Sequence, residues 1–191
     1  MPRLSKEQVE ASITKAVVHI ATSKGIGATG MADVARTARV SAGTLYLHFE
    51  NKEDMLQKTY IRIKTDFHAR LMRAAAAGTS AAIIRSLWDE LMLFLKEQPG
   101  AFLFLEYAGA AQLLSEDQRK QMGALQEEVN TLVRTAIDDG TLAQMPLGVA
   151  INLIIGPAMH LARTHALAGK DPGDDTIEQT FARVWASLRA A

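Results

Sequence analysis

The chain has 191 residues, 48% of them hydrophobic, with no net charge and no cysteine. A domain of this size buries about 70% of its unfolded surface and needs no staples, and the lack of cysteine removes disulfides, thiolate metal sites and thiol nucleophiles. The polar start from Met1 to Glu7 has no signal-peptide core, and no apolar run approaches the roughly 18 residues that cross a bilayer, so a soluble, cytoplasmic protein with no membrane partner is expected.

The neutral total hides an asymmetry. Residues 1–52 hold seven basic side chains (Arg3, Lys6, Lys15, Lys24, Arg36, Arg39, Lys52) against four acidic ones (Glu7, Glu10, Asp33, Glu50), and the remainder is acidic by the same margin. A basic head on an acidic body suits nucleic-acid contact at one end.

Apolar spacing is helical almost throughout, and about nine helices are expected with no strand. Val9, Ile13, Ala16, Val17 and Ile20 make one stripe of a first helix over 5–23, which stops before Gly25. Gly25-Ile26-Gly27-Ala28-Thr29-Gly30 then matches the spacing of a dinucleotide-binding loop, and Tyr60 and Lys64 mimic the catalytic spacing of short-chain dehydrogenases. That enzyme reading fails on context. The loop must directly follow a strand and open a helix leading to a second strand with a ribose-binding acid. Here Ala21 to Lys24 intervene, no strand follows, and Tyr60 and Lys64 lie too close to the glycines. An interhelical loop accounts for them.

A short helix over 30–37, capped by Thr29 or Gly30, turns Met31, Val34, Ala35 and Ala38 inward. The chain turns at Ala38, Arg39 and Val40, and Ser41 can cap the next short helix through its hydroxyl. Leu45 and Phe49 point inward there. Ala42, Gly43 and Thr44, then Tyr46, Leu47 and His48, are left to face outward. A fourth helix runs from Asn51 through Tyr60, Ile63 and Phe67 to the alanine run before Gly78, long enough to join head to body. The body offers helices over 80–97, stopped by Pro99-Gly100, over 101–113, and from Ser115 to Gly140, where Ser115 and Gln118 form a capping-box pattern. Pro146 opens the next helix, which reaches about residue 168 and should kink at Gly156-Pro157. A polar loop over 170–175 precedes a last amphipathic helix over 176–190.

Val40 to Phe49, followed by Asn51-Lys52-Glu53-Asp54-Met55-Leu56, resembles the DNA-binding end of TetR-family transcriptional regulators. The resemblance covers residues 8–60 well; beyond them it rests on length and helical pattern. It implies an all-α fold with a three-helix helix-turn-helix domain over 1–50 and a helical ligand-binding and dimerisation domain over 51–191. It implies as well a homodimer that binds double-stranded operator DNA, responds to a small-molecule effector and needs no cofactor. The implied DNA contacts are Thr29, Arg39, Ser41, Ala42, Gly43, Thr44, Tyr46, Leu47, His48 and Lys52, with Tyr46, His48 and Lys52 on phosphates. Arg39 stands where the family has a turn glycine. A left-handed backbone there costs an arginine about 1–2 kcal/mol, so either the turn is tighter than usual or Arg39 reaches a phosphate. Ala42 and Gly43 lack the side chains that make bidentate contacts to bases, so sequence choice falls to Thr44, methyl contacts, backbone groups or DNA shape. A helical ligand-binding or interaction protein with degenerate DNA specificity is the alternative reading.

In the body the resemblance implies a ligand cavity, for which Trp88, Met92, Phe102, Phe104, Tyr107, Met122, Leu125, Met159, His160 and Arg163 are candidates. The last two helices carry Leu147, Ile151 and Ile155, then Phe181, Val184, Trp185 and Leu188, implied to form a four-helix bundle across a two-fold axis. That arrangement sets two recognition helices roughly 34–36 Å apart. No metal site is expected: no Glu precedes a His by three residues, and His160 and His165, five apart on a helix, diverge by about 140°.

Overall fold

Ser5 and Gln8 cap each other's backbone at the head of the first helix: the Ser5 hydroxyl accepts from the Gln8 N–H at 3.2 Å, and the Gln8 amide oxygen accepts from the Ser5 N–H at 2.9 Å. The helix they start, α1 (Lys6–Lys24), ends at Gly25, whose φ of 91° no other residue adopts easily. The computed structural model describes residues 5–169 and 173–190, so Arg3 and residues 170–172 of the expected loop over 170–175 lie outside it. Among the described residues there are nine α-helices, a short 3-10 turn over Ile26–Ala28, and no strand.

The head continues with α2 (Met31–Ala38) and α3 (Ala42–His48). Arg39 takes the left-handed conformation at φ 57°, ψ 39°. Its N–H bonds to the Arg36 carbonyl at 3.2 Å, and the Val40 N–H reaches back to the Ala35 carbonyl at 3.0 Å. This pair closes α2 as a Schellman motif, so the tighter turn that would spare Arg39 the left-handed strain is not the solution the chain adopts. Ser41 then caps α3, accepting from the Thr44 N–H at 3.0 Å. Asn51 caps α4 (Lys52–Ala74) by accepting from the Asp54 N–H at 2.9 Å.

The body comprises α5 (Ser80–Glu97), α6 (Pro99–Ala110), α7 (Glu116–Asp138), α8 (Leu147–Ala168) and α9 (Asp174–Leu188). Pro99 does not only stop α5; it opens α6, where its missing N–H costs nothing. Ser115 and Gln118 form the capping box of α7. Pro157 lies within α8, which is assigned as one uninterrupted helix rather than two segments. Pro146 serves as the cap just before α8 and not as its first residue.

One buried cluster runs from Ile13 in α1 through Val34, Leu45 and Met55 to Trp88, Phe104, Ala136 and Leu188, so head and body share a core. The start of α6 presses closely on α1: a Cβ at Gly100 would meet Val18 Cγ1 at 3.1 Å. Helix α8 is apolar along its length, with a mean hydropathy of 1.2, long enough by composition to cross a membrane, and only 22% of its most apolar stretch is buried. The sequence reading missed this because polar residues interrupt every apolar run. In the fold α8 packs against α5, α6, α7 and α9 as a wall of the body.

Candidate functional site

The head's second and third helices present a small, bare surface. Ala42 and Gly43 are exposed at the start of α3, and Tyr46 and Leu47 follow at 59% and 86% exposure. A leucine that exposed beside an unburied tyrosine ring is apolar area left for contact with something else. Arg39 and Ser41 are exposed, Thr44 partly so, and with Lys6, Glu10, Leu47 and His48 they border an open groove between α1 and α3. The Ser41 and Thr44 hydroxyls lie 2.8 Å apart, which orients both.

Two contacts fix the far end of α3. His48 Nδ1 is 3.6 Å from a Glu10 carboxylate oxygen, and the other oxygen of that carboxylate accepts from Arg62 at 3.0 Å. The His48 carbonyl accepts from Lys58 Nζ at 3.3 Å. Helices α1, α3 and α4 therefore meet through one acid.

Two of the expected DNA contacts are engaged inside the protein. Thr29 is fully buried, and its hydroxyl donates to the Gly25 carbonyl at 3.1 Å. Its role is to fasten the loop, which removes it from the outward surface. The Lys52 ammonium donates to the Gly27 carbonyl and so ties α4 to the 3-10 turn. A lysine in the first turn of a helix opposes the helix dipole, and this carbonyl is its internal compensation.

The body encloses a cavity of about 270 Å³. Its wall is drawn from α4 (Lys64, Phe67, His68, Leu71), α5 (Ile84, Leu87, Trp88, Leu91), α7 (Leu125, Gln126, Val129, Val133) and α8 (Ile151, Ile154, Ile155, Met159). Of the expected ligand contacts it gathers Trp88, Leu125 and Met159. Met92, Phe102, Phe104 and Met122 are buried elsewhere, Tyr107 and His160 are exposed, and Arg163 forms an ion pair with Glu106 on the outer surface. Sequence reasoning missed the α4 wall because Lys64 and His68 sit on a polar helix and look like a solvated face. His68 is buried and lies 3.1 Å from a Glu128 oxygen, joining α4 to α7. Burial pushes the Lys64 amine below the ordinary lysine value.

The residues expected on the two-fold face turn inward. Val184 and Leu188 are buried in the protomer's own core, and Leu147, Ile151, Ile155, Phe181 and Trp185 pack against it. Phe181 lies 5.4 Å from the Trp88 ring, with the Arg85 guanidinium 4.6 Å from its centroid, and Arg85 also pairs with Glu178. What α8 leaves outward is a different stripe: Val149 at 46%, Leu153 at 37% and Leu167 at 62% exposure, with Gly156 and His160 exposed between them.

Comparison with known proteins agrees with this layout. Residues 13–59 match the family model for bacterial regulatory proteins of the tetR family, and residues 83–189 match that for a tetracyclin repressor-like C-terminal domain. An HTH-type transcriptional regulator of Haemophilus influenzae is 23% identical over 189 residues, covering 98% of this chain and 99% of its own. The crystal structure of a TetR-family regulator from Marinobacter aquaeolei VT8 superposes with a TM-score of 0.86 at 19% identity, covering 97% of both chains. Another, from Haemophilus influenzae, gives a TM-score of 0.73 at 21% identity over 97% of this chain and 99% of that one. These relatives are named as regulators of transcription. With both its head and its body matched in order, this chain belongs to the TetR family of helix-turn-helix transcriptional regulators.

Proposed function

We propose that the protein is a ligand-responsive repressor that binds a near-palindromic operator as a homodimer in the cytoplasm and leaves it when a small molecule enters the body cavity. The observation that carries the DNA half is the exposure of Tyr46 and Leu47 on a helix whose opening residues are too small to obstruct a groove. In this reading Arg39, Ser41, Thr44, Tyr46 and His48 contact the backbone, Lys52 adds its remaining ammonium protons to a phosphate, and Ala42 and Gly43 let α3 approach base edges. Sequence choice then rests on shape and methyl contacts.

The dimer half is supported by the unpartnered apolar stripe on α8. A second copy would cover Val149, Leu153 and Leu167, with Gly156 allowing close approach. The residues first expected there form the inner side of the same helix pair. Release is supported by the position of α4, which begins at the recognition helix and continues into the cavity wall. A hundredfold loss of DNA affinity requires about 2.8 kcal/mol of coupling, within the ordinary allosteric range.

Selection of sites from a random duplex library at physiological salt tests the proposal. The expected result is an enriched inverted repeat whose half-sites lie about one helical turn, roughly 34–36 Å, apart. Binding only at low salt, with no enrichment, would overturn it in favour of a ligand-binding or interaction protein with a degenerate head.

A further inference from the structure

The cavity wall is unbalanced in its charge and hydrogen bonding. Its polar residues are Lys64, His68 and Gln126, and among the described residues no carboxylate lines it. His68 is engaged by Glu128, and the Gln126 amide donates to Asn130 at 3.2 Å. Lys64 is different. Among the described residues it makes no hydrogen bond and no ion pair, although it is partly buried in the middle of α4 against an apolar wall.

Buried ammonium groups are ordinarily paired, and buried donors are ordinarily satisfied. A lysine with nothing to hold it could extend its head to water along its own stem. An unengaged cation on a mostly apolar cavity wall describes the complement of a ligand that carries a negative charge and an apolar remainder. The charge is single, because the wall supplies one unengaged cation and a dianion would leave a charge buried and unpaired.

We propose that the cavity takes an apolar monoanion, a carboxylate with a hydrocarbon tail, whose headgroup pairs with Lys64 while the tail lies among Leu87, Leu125, Ile154 and Met159. This deepens the reading of the cavity as an effector site and rests on it for its consequence, but not for its test. The ammonium supplies the point charge that a carboxylate headgroup answers. An alcohol of the same length would satisfy the tail and leave Lys64 as it is. An alkylammonium would add a second cation to the one already there.

The test is calorimetric titration of the full-length protein, without DNA, with decanoate, decanol and decylammonium. Decanoate is expected to bind once per chain, at least about tenfold more tightly than decanol, the ratio set by one charge-assisted pair, and decylammonium should not bind. Lys64→Met should abolish the preference for decanoate over decanol, and Lys64→Arg should retain it. Equal affinities for decanoate and decanol in the unaltered protein, a preference that survives Lys64→Met, or binding of none of the probes would each overturn the inference. If decanoate binds as expected yet leaves an operator complex intact, the inference stands and the effector reading of the cavity falls.

Discussion

The head and the body of this protein differ in how completely they fill their interiors. In the head, Ile13, Val17, Val34, Leu45 and Met55 are wholly buried. The body closes as tightly at Phe104 and Leu188, but it also holds a cavity of about 270 Å³ bordered by a lysine that, among the described residues, makes no hydrogen bond or ion pair. Under the proposed function, a closely packed head preserves the spacing of groups that meet DNA, whereas open volume in the body leaves room for a ligand. The same chain thus spends its packing where geometry matters and withholds it where occupancy matters.

The widest gap between the two regions should appear on truncation. Leu45→Ala, at a closed site, is expected to cost about 2–5 kcal/mol, while Leu125→Ala, on a half-buried cavity wall, should cost about 1 kcal/mol. Urea unfolding measures both, and equal losses would remove the distinction. Enlargement should separate the regions by sign. Ala35→Val overfills the head and should cost about 1–3 kcal/mol, whereas Val129→Leu has room to extend into the cavity and should add about 0.5 kcal/mol or more.

A third comparison lies inside the head, between a satisfied residue and a strained one. Replacing Arg39 by glycine relieves the left-handed strain at φ 57°, and the variant should be more stable by about 1 kcal/mol. Under the proposed function it should also bind DNA less tightly, with a shallower salt dependence. Unchanged stability would mean that the arginine side chain compensates its backbone elsewhere.

The smallest effect concerns acid. Burial pushes the Asp54 carboxyl up, but hydrogen bonds from Lys58 at 2.8 Å and from the Glu50 N–H at 3.0 Å outweigh it and hold the group below its ordinary 3.8. Its contribution is therefore present above the unfolded value and lost as pH falls through the lower folded one. Melting curves of Asp54→Asn should lose less stability between neutral pH and pH about 3 than those of the unaltered protein. Parallel acid limbs would assign the sensitivity to other carboxylates.

Much of the fold was legible because it is written locally. Ser115 with Gln118 announces a helix start within four residues, and the α2–α3 motif needs only the order of small, apolar and capping residues. Long-range choices were harder to read. Leu147, Ile151 and Ile155 have the right spacing for one face of α8, but that helix is apolar on two sides, and periodicity does not say which side meets the core. Phe102, Phe104 and Tyr107 look like cavity groups by type, yet α6 buries the two phenylalanines elsewhere and leaves Tyr107 exposed. Trp88 was found because an aromatic on a body helix is conspicuous. Lys64 was read only as a chance echo of a dehydrogenase, since its meaning depends on what three other helices place opposite it.

The close approach of Gly100 to Val18 bears on how the head can turn. Were α4 the sole connection, the head would hang from the body as a pendulum with freedom in every direction. The seat of α6 on α1 adds a second bearing, and a rigid piece held at two bearings swings only about the line through them. A side chain at position 100 would thicken that bearing and tilt its axis. Under the proposed function, the angle between the two heads of a dimer would then shift even though every residue of α3 kept its place.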